Sequence, residues 1–126
     1  MKKMDKIYDI TTYKGVSTAV ELLKKYGWIV SPLPWLIYKA MTPEISTEKQ
    51  IEAAIQLIKA GKENNAKKMR IRVSHDAGIK ISAMLKGFPM NVQVGNNGMM
   101  EFDIDYGNAS PADFSQLSNI PDKFQS

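Results

Sequence analysis

The chain has 126 residues, 44% of them apolar and 24% charged, with a formal net charge of +4; this is the profile of one ordinary folded domain, 1–126, and it excludes wholesale disorder. Cysteine is absent and His75 is the lone histidine, which excludes disulfide staples and thiolate chemistry and leaves little for a metal, so no cofactor or metal site is expected.

The basic start, Met1 to Lys6, is followed by Ile7-Tyr8-Asp9-Ile10-Thr11-Thr12, which lacks the apolar run of a secretory signal, and a cytoplasmic location is expected. Residues 1–43 read as a helical and aromatic segment. Val16, Ala19, Val20 and Leu23 recur at helical spacing, Thr18 and Glu21 have the spacing of a capping box, and Gly27 is a stop, so the pattern predicts a short helix near 16–26. The uncharged stretch Tyr26 to Tyr38, with Trp28 and Trp35, is broken by Pro32 and Pro34 and is too short to span a bilayer; Pro34 opens a second short helix toward Met41. Burial of these aromatics in the core is the simplest expectation, with contact to a membrane interface or a partner as the alternative.

The clearest helix is predicted over 46–61. Ser46 or Thr47 caps it, Ile51, Ala54, Ile55 and Ile58 form one apolar stripe, Gln50, Glu52, Gln56 and Lys59 form a polar face, and Gly61 closes it. Residues 67–106 alternate with period two through four segments, which predicts a four-stranded antiparallel meander under that helix. The fold class is therefore α+β: short N-terminal helices, then one amphipathic helix packed on the meander.

Two turns set the predicted register. A two-residue Lys86-Gly87 turn places Leu85, Ala83, Ile81 and Ile79 opposite Phe88, Met90, Val92 and Val94. A three-residue Asn96-Asn97-Gly98 loop, with Gly98 left-handed, places Val94, Val92, Met90 and Phe88 opposite Met100, Phe102, Ile104 and Tyr106. Residues 107–126 return to loop composition as a partly flexible tail, in which Ser110-Pro111-Ala112-Asp113 has the form of a helix cap before Phe114 and Leu117.

Charge is the remaining signal. Between Lys59 and Lys86 eight basic residues face two acids, whereas Glu101, Asp103, Asp105, Asp113 and Asp122 dominate the C-terminal part. Lys68, Arg70 and Arg72 form a basic stripe on the first predicted strand, with Lys80 beside them, and Glu101, Asp103 and Asp105 form an acidic stripe on the fourth. These seven are the candidate partner-binding residues.

Ser74-His75-Asp76 has the residue types of a hydrolase triad but the spacing of a turn. No residue combination makes an identifiable active site, and the balance leans against an enzyme. The leading expectation is a non-enzymatic module of adaptor, inhibitor or immunity type. It would bind another protein, or a second copy of itself, by pairing at the outer strands. The alternatives are nucleic-acid binding through the basic stripe, without the interleaved aromatics that favour it, and a small enzyme or small-molecule pocket beside the aromatic segment.

Overall fold

In the computed structural model, residues 7–28, 45–95 and 97–120 are described. They form an α+β architecture in which helices cover one face of a four-stranded mixed sheet. The chain runs β1 (Ile7–Asp9), α1 (Tyr13–Lys25), α2 (Thr47–Glu63), β2 (Lys68–Val73), α3 (His75–Met84), β3 (Met90–Val94), β4 (Met100–Asp105), a 3-10 turn (Tyr106–Asn108) and α4 (Pro111–Ser118). Among the described residues no helix is long and apolar enough to cross a membrane. The helix expected after Pro34 and most of the aromatic segment lie outside the described residues, while Trp28 packs against the core and Tyr26 is exposed.

The strand order is β1-β2-β4-β3, with β1 parallel to β2 and β4 antiparallel to both its neighbours, β2 and β3. This corrects the expected meander. Segment 79–85 is not a strand, because Ser74 caps a helix there: its Oγ accepts from the Ala77 amide at 3.3 Å, and Asp76 sits in the first turn, where its charge suits the helix dipole. The period-two set Ile79, Ile81, Ala83, Leu85 shares Ile81 and Leu85 with a helical one, Ala77, Gly78, Ile81 and Leu85. It is the helical set that is buried, with Ile79 and Ala83 exposed. Lys86-Gly87 is accordingly part of the turn that follows α3, with Gly87 at φ +89°, and not a hairpin turn. With α3 as the crossover, β2 and β3 run in the same direction and β4 lies between them.

The hairpin read from Asn96-Asn97-Gly98 is present with its predicted register. Val94, Val92 and Met90 face Met100, Phe102 and Ile104, the Gly95 amide donates to the Met99 carbonyl at 2.7 Å, and Gly98 has φ +83°.

Helix α1 starts earlier than predicted. Thr12, not Thr18, caps it by accepting from the Gly15 amide at 3.0 Å. Helix α2 is not the surface helix its polar positions suggest. It packs on β2 and touches α3 and α4, so both Gln50 and Gln56 are buried with its apolar residues. Gln50 is satisfied there by bridging two backbones: its amide donates to the Ile45 carbonyl at 3.2 Å, and its carbonyl accepts from the Ser74 amide at 2.9 Å. Nor does Gly61 end this helix, which continues to Glu63. A Cβ at Gly61 would collide with the Tyr106 ring and hydroxyl, and the bare backbone lets that hydroxyl donate to the Ile58 carbonyl at 2.7 Å.

The core lies between the helices and the inner face of β1, β2 and β4: Tyr8, Met69, Ile71, Val73, Met100, Phe102 and Ile104 meet Val16, Leu23, Ile55, Ile58 and Ile81. Phe88 stacks edge-on against both Tyr106 and Phe114 and joins α4 to this core. Helix α4 itself carries the expected cap, with Ser110 and Asp113 forming a reciprocal box and proline at its start.

Candidate functional site

The polar face of the sheet collects six of the seven residues selected from the sequence. Cross-strand register sets Lys68 opposite Asp105, Arg70 opposite Asp103, and Arg72 opposite Glu101. The basic and acidic stripes are therefore neighbours inside one sheet. β2 and β4 are its two interior strands, which overturns the expectation that they are its outer edges. Lys80 is not beside them: it is exposed on α3, in the helix layer, near Thr47 and Glu48 at the start of α2.

The best-ordered part of this face is a row across three strands. The Arg72 guanidinium donates through Nε and Nη2 to Glu101 Oε2 at 3.0 and 2.8 Å, and its Nη1 lies 3.9 Å from Asp9 Oδ2. Asp9 is held in turn by Thr11, whose amide and hydroxyl both donate to Oδ1, at 3.0 and 2.6 Å. The second row carries Arg70 and Asp103, with Asp103 Oδ1 buried and without a hydrogen-bond partner among the described residues. Each such pair contributes about 0.2–1 kcal/mol and fixes strand register more than it adds stability. Asp9 and Thr11 were not predicted for this row, because a three-residue strand gives no periodic signal.

Among the described residues, the sheet's edges are β1 and β3. β1 spans three of the described residues, a short edge of the kind that discourages pairing. β3 is longer and carries neither charge nor proline: Met90-Asn91-Val92-Gln93-Val94. Its hydrogen-bond phase is set at both ends, by the Gly95–Met99 pair and by the Asp105 amide donating to the Pro89 carbonyl at 3.0 Å. In an antiparallel ladder this phase turns the backbone of Pro89, Asn91, Gln93 and Gly95 toward β4, and the N–H and C=O groups of Met90, Val92 and Val94 outward. The side chains of the same three residues share the face that carries Ile104, Phe102 and Met100. There the helix layer stops short: Phe102 is 1% exposed, whereas Val92 is 39% and Val94 63% exposed. Val92 was expected in the core, and the exposed apolar edge is the feature that alternation alone conceals.

Catalytic and metal-binding arrangements are less well supported. Ser74 Oγ is engaged as the α3 cap, and His75 and Asp76 project from the exposed first turn, which does not assemble a triad. Among the described residues no group of three histidine or acidic side chains is placed to hold a metal ion. A cleft of about 280 Å³ between β1 and α1 is bounded by Tyr8, Asp9, Thr12 and Lys14. Burial pushes the Tyr8 hydroxyl above the ordinary tyrosine range, with the neighbouring Tyr26 adding to the effect, so it stays protonated. The Tyr106 hydroxyl is raised further by burial alone and serves structure rather than proton transfer.

No protein-family model, curated protein or solved structure matches this chain.

Proposed function

We propose that this protein is a non-enzymatic binding module that docks an extended segment of another polypeptide along β3. The observation that carries this reading is the coincidence, on one uncharged edge strand, of the outward backbone groups of Met90, Val92 and Val94 with the exposed apolar side chains of Val92 and Val94. An added strand would take its affinity from the backbone and its selectivity from Val92 and Val94. The basic stripe favours nucleic acid less, since Lys68, Arg70 and Arg72 each face a carboxylate across the sheet and their charge is locally offset.

Selection of random linear peptides on the immobilised full chain, followed by NMR titration, tests this. Selected peptides should shift the amides of Met90, Val92 and Val94 before any others. Val92→Pro removes an outward N–H that β4 does not use, so it should keep the circular dichroism spectrum and weaken peptide binding by about tenfold or more. Peptides that bind Val92→Pro as tightly as wild type would place the docking surface elsewhere.

A further inference from the structure

We infer that β3 also takes a second copy of this chain, pairing antiparallel with β3 of the partner about a two-fold axis through Val92. This deepens the reading of β3 as a docking edge, and rests on it, by committing to one occupant.

Three features of the strand carry the inference. The first is charge. A two-fold interface sets a patch against itself, so any charge near the axis meets its own like. β3 has none, whereas β2 would oppose lysine and arginine to lysine and arginine. Edge strands are commonly protected by such charges, by proline or by brevity, and β3 has none of the three.

The second is side-chain register. Centred on Val92, antiparallel pairing sets Val92 against its own copy, Met90 against the partner's Val94, and Asn91 against the partner's Gln93. Apolar side chains then meet on the helix-bearing face, where Val92 and Val94 are exposed. Carboxamides, each a donor and an acceptor, meet on the polar face.

The third is backbone phase, which is independent of the side chains. The residues whose N–H and C=O point outward are Met90, Val92 and Val94, and these are the positions that the same register makes hydrogen-bonded pairs: Val92 with Val92, Met90 with Val94. A one-residue shift of register would oppose outward groups to inward ones and leave no ladder. The axis runs perpendicular to the sheet, so the helices of both copies lie on one face of a continuous eight-stranded sheet.

The contact is one strand wide, so the dimer should form and dissociate with concentration. Sedimentation velocity of the full chain, from low- to high-micromolar concentration, should show mass rising from monomer to dimer. Val92→Pro and, separately, Val94→Lys should shift the midpoint by about tenfold or more with unchanged circular dichroism. Register is tested by disulfides, which the cysteine-free chain makes unambiguous. Asn91→Cys mixed with Gln93→Cys should cross-link as a heterodimer on oxidation, and each alone should cross-link far less, because only the mixed pair is directly opposed. A chain that stays monomeric throughout, a dimer that survives both Val92→Pro and Val94→Lys, or cross-linking without preference for the mixed pair would overturn the inference. If the chain stays monomeric while selected peptides still shift the β3 amides, self-pairing fails and the docking reading stands. If neither occurs, both fail.

Discussion

Replacing Gly61 with alanine puts the helix–sheet packing to a quantitative test, because two effects of opposite sign meet at one atom. In an ordinary helix interior the change stabilises by about 1 kcal/mol. Gly61 lies within α2, and a Cβ there would run into the hydroxyl and ring of Tyr106. Tyr106 is buried, is packed edge-on against Phe88, and donates to the Ile58 carbonyl at 2.7 Å, so it has little room to retreat. Overpacking costs about 1–3 kcal/mol, and displacing the hydroxyl forfeits about 0.5–1.5 kcal/mol more. Set against the propensity gain, Gly61→Ala should destabilise by about 0.5–3.5 kcal/mol, or about 2–14 °C in Tm for a domain of this size. Urea denaturation followed by far-ultraviolet circular dichroism reads the change. In a Tyr106→Phe background the cost should shrink by about 0.5 kcal/mol or more, since the nearest clashing atom is gone. Gly61→Ala as stable as wild type would refute the packing of Tyr106 over α2.

Alkaline pH probes the same tyrosine. Its hydroxyl is held neutral in the fold above the ordinary value near 10, so it contributes nothing below that pH; above it the unfolded chain alone loses the proton, and stability should fall by about 1.4 kcal/mol per pH unit. Tyr106→Phe should lose that slope in urea midpoints measured across the window. Arg72→Glu faces Glu101 and Asp9 with a like charge and should destabilise by about 1–2 kcal/mol, and adding Glu101→Arg should recover part of the loss in a double-mutant cycle. Gly98→Val, at φ +83°, should cost about 1–2 kcal/mol in thermal unfolding, whereas the neighbouring exposed Asn97→Asp should stay within about 0.5 kcal/mol.

What the sequence makes legible is what local chemistry dictates. The 94–100 turn and the Ser110 cap specify their own geometry within a few residues; the turn register is found as read, and the cap opens a helix longer than the single turn its sequence suggests. Segment 79–85 fails because its apolar residues satisfy periods 2 and 3.6 together, and the deciding atom is Ser74 Oγ, as apt for a turn as for a cap. From that one segment the errors in the order of β2, β3 and β4 follow. With 75–84 taken out of the sheet, β4 closes directly on β2, the two charged stripes become internal neighbours, and β3 becomes the edge. The complementarity of the stripes is plain in the sequence, but its partner depends on a non-local pairing. The burial of Gln50 is likewise non-local, since its polar atoms are satisfied by the backbones of Ile45 and Ser74.

Amide hydrogen exchange along β3 decides whether that strand presents an unpaired edge open to docking. Measured on dilute chain, where copies are apart, Asn91, Gln93 and Gly95 should be protected by β4, while Met90, Val92 and Val94 exchange rapidly. Adding a selected peptide, or raising the chain concentration, should slow the second set and leave the first unchanged. Uniform protection of all six amides in the dilute chain, or no gain at Met90, Val92 and Val94 on docking, would contradict an open edge at β3.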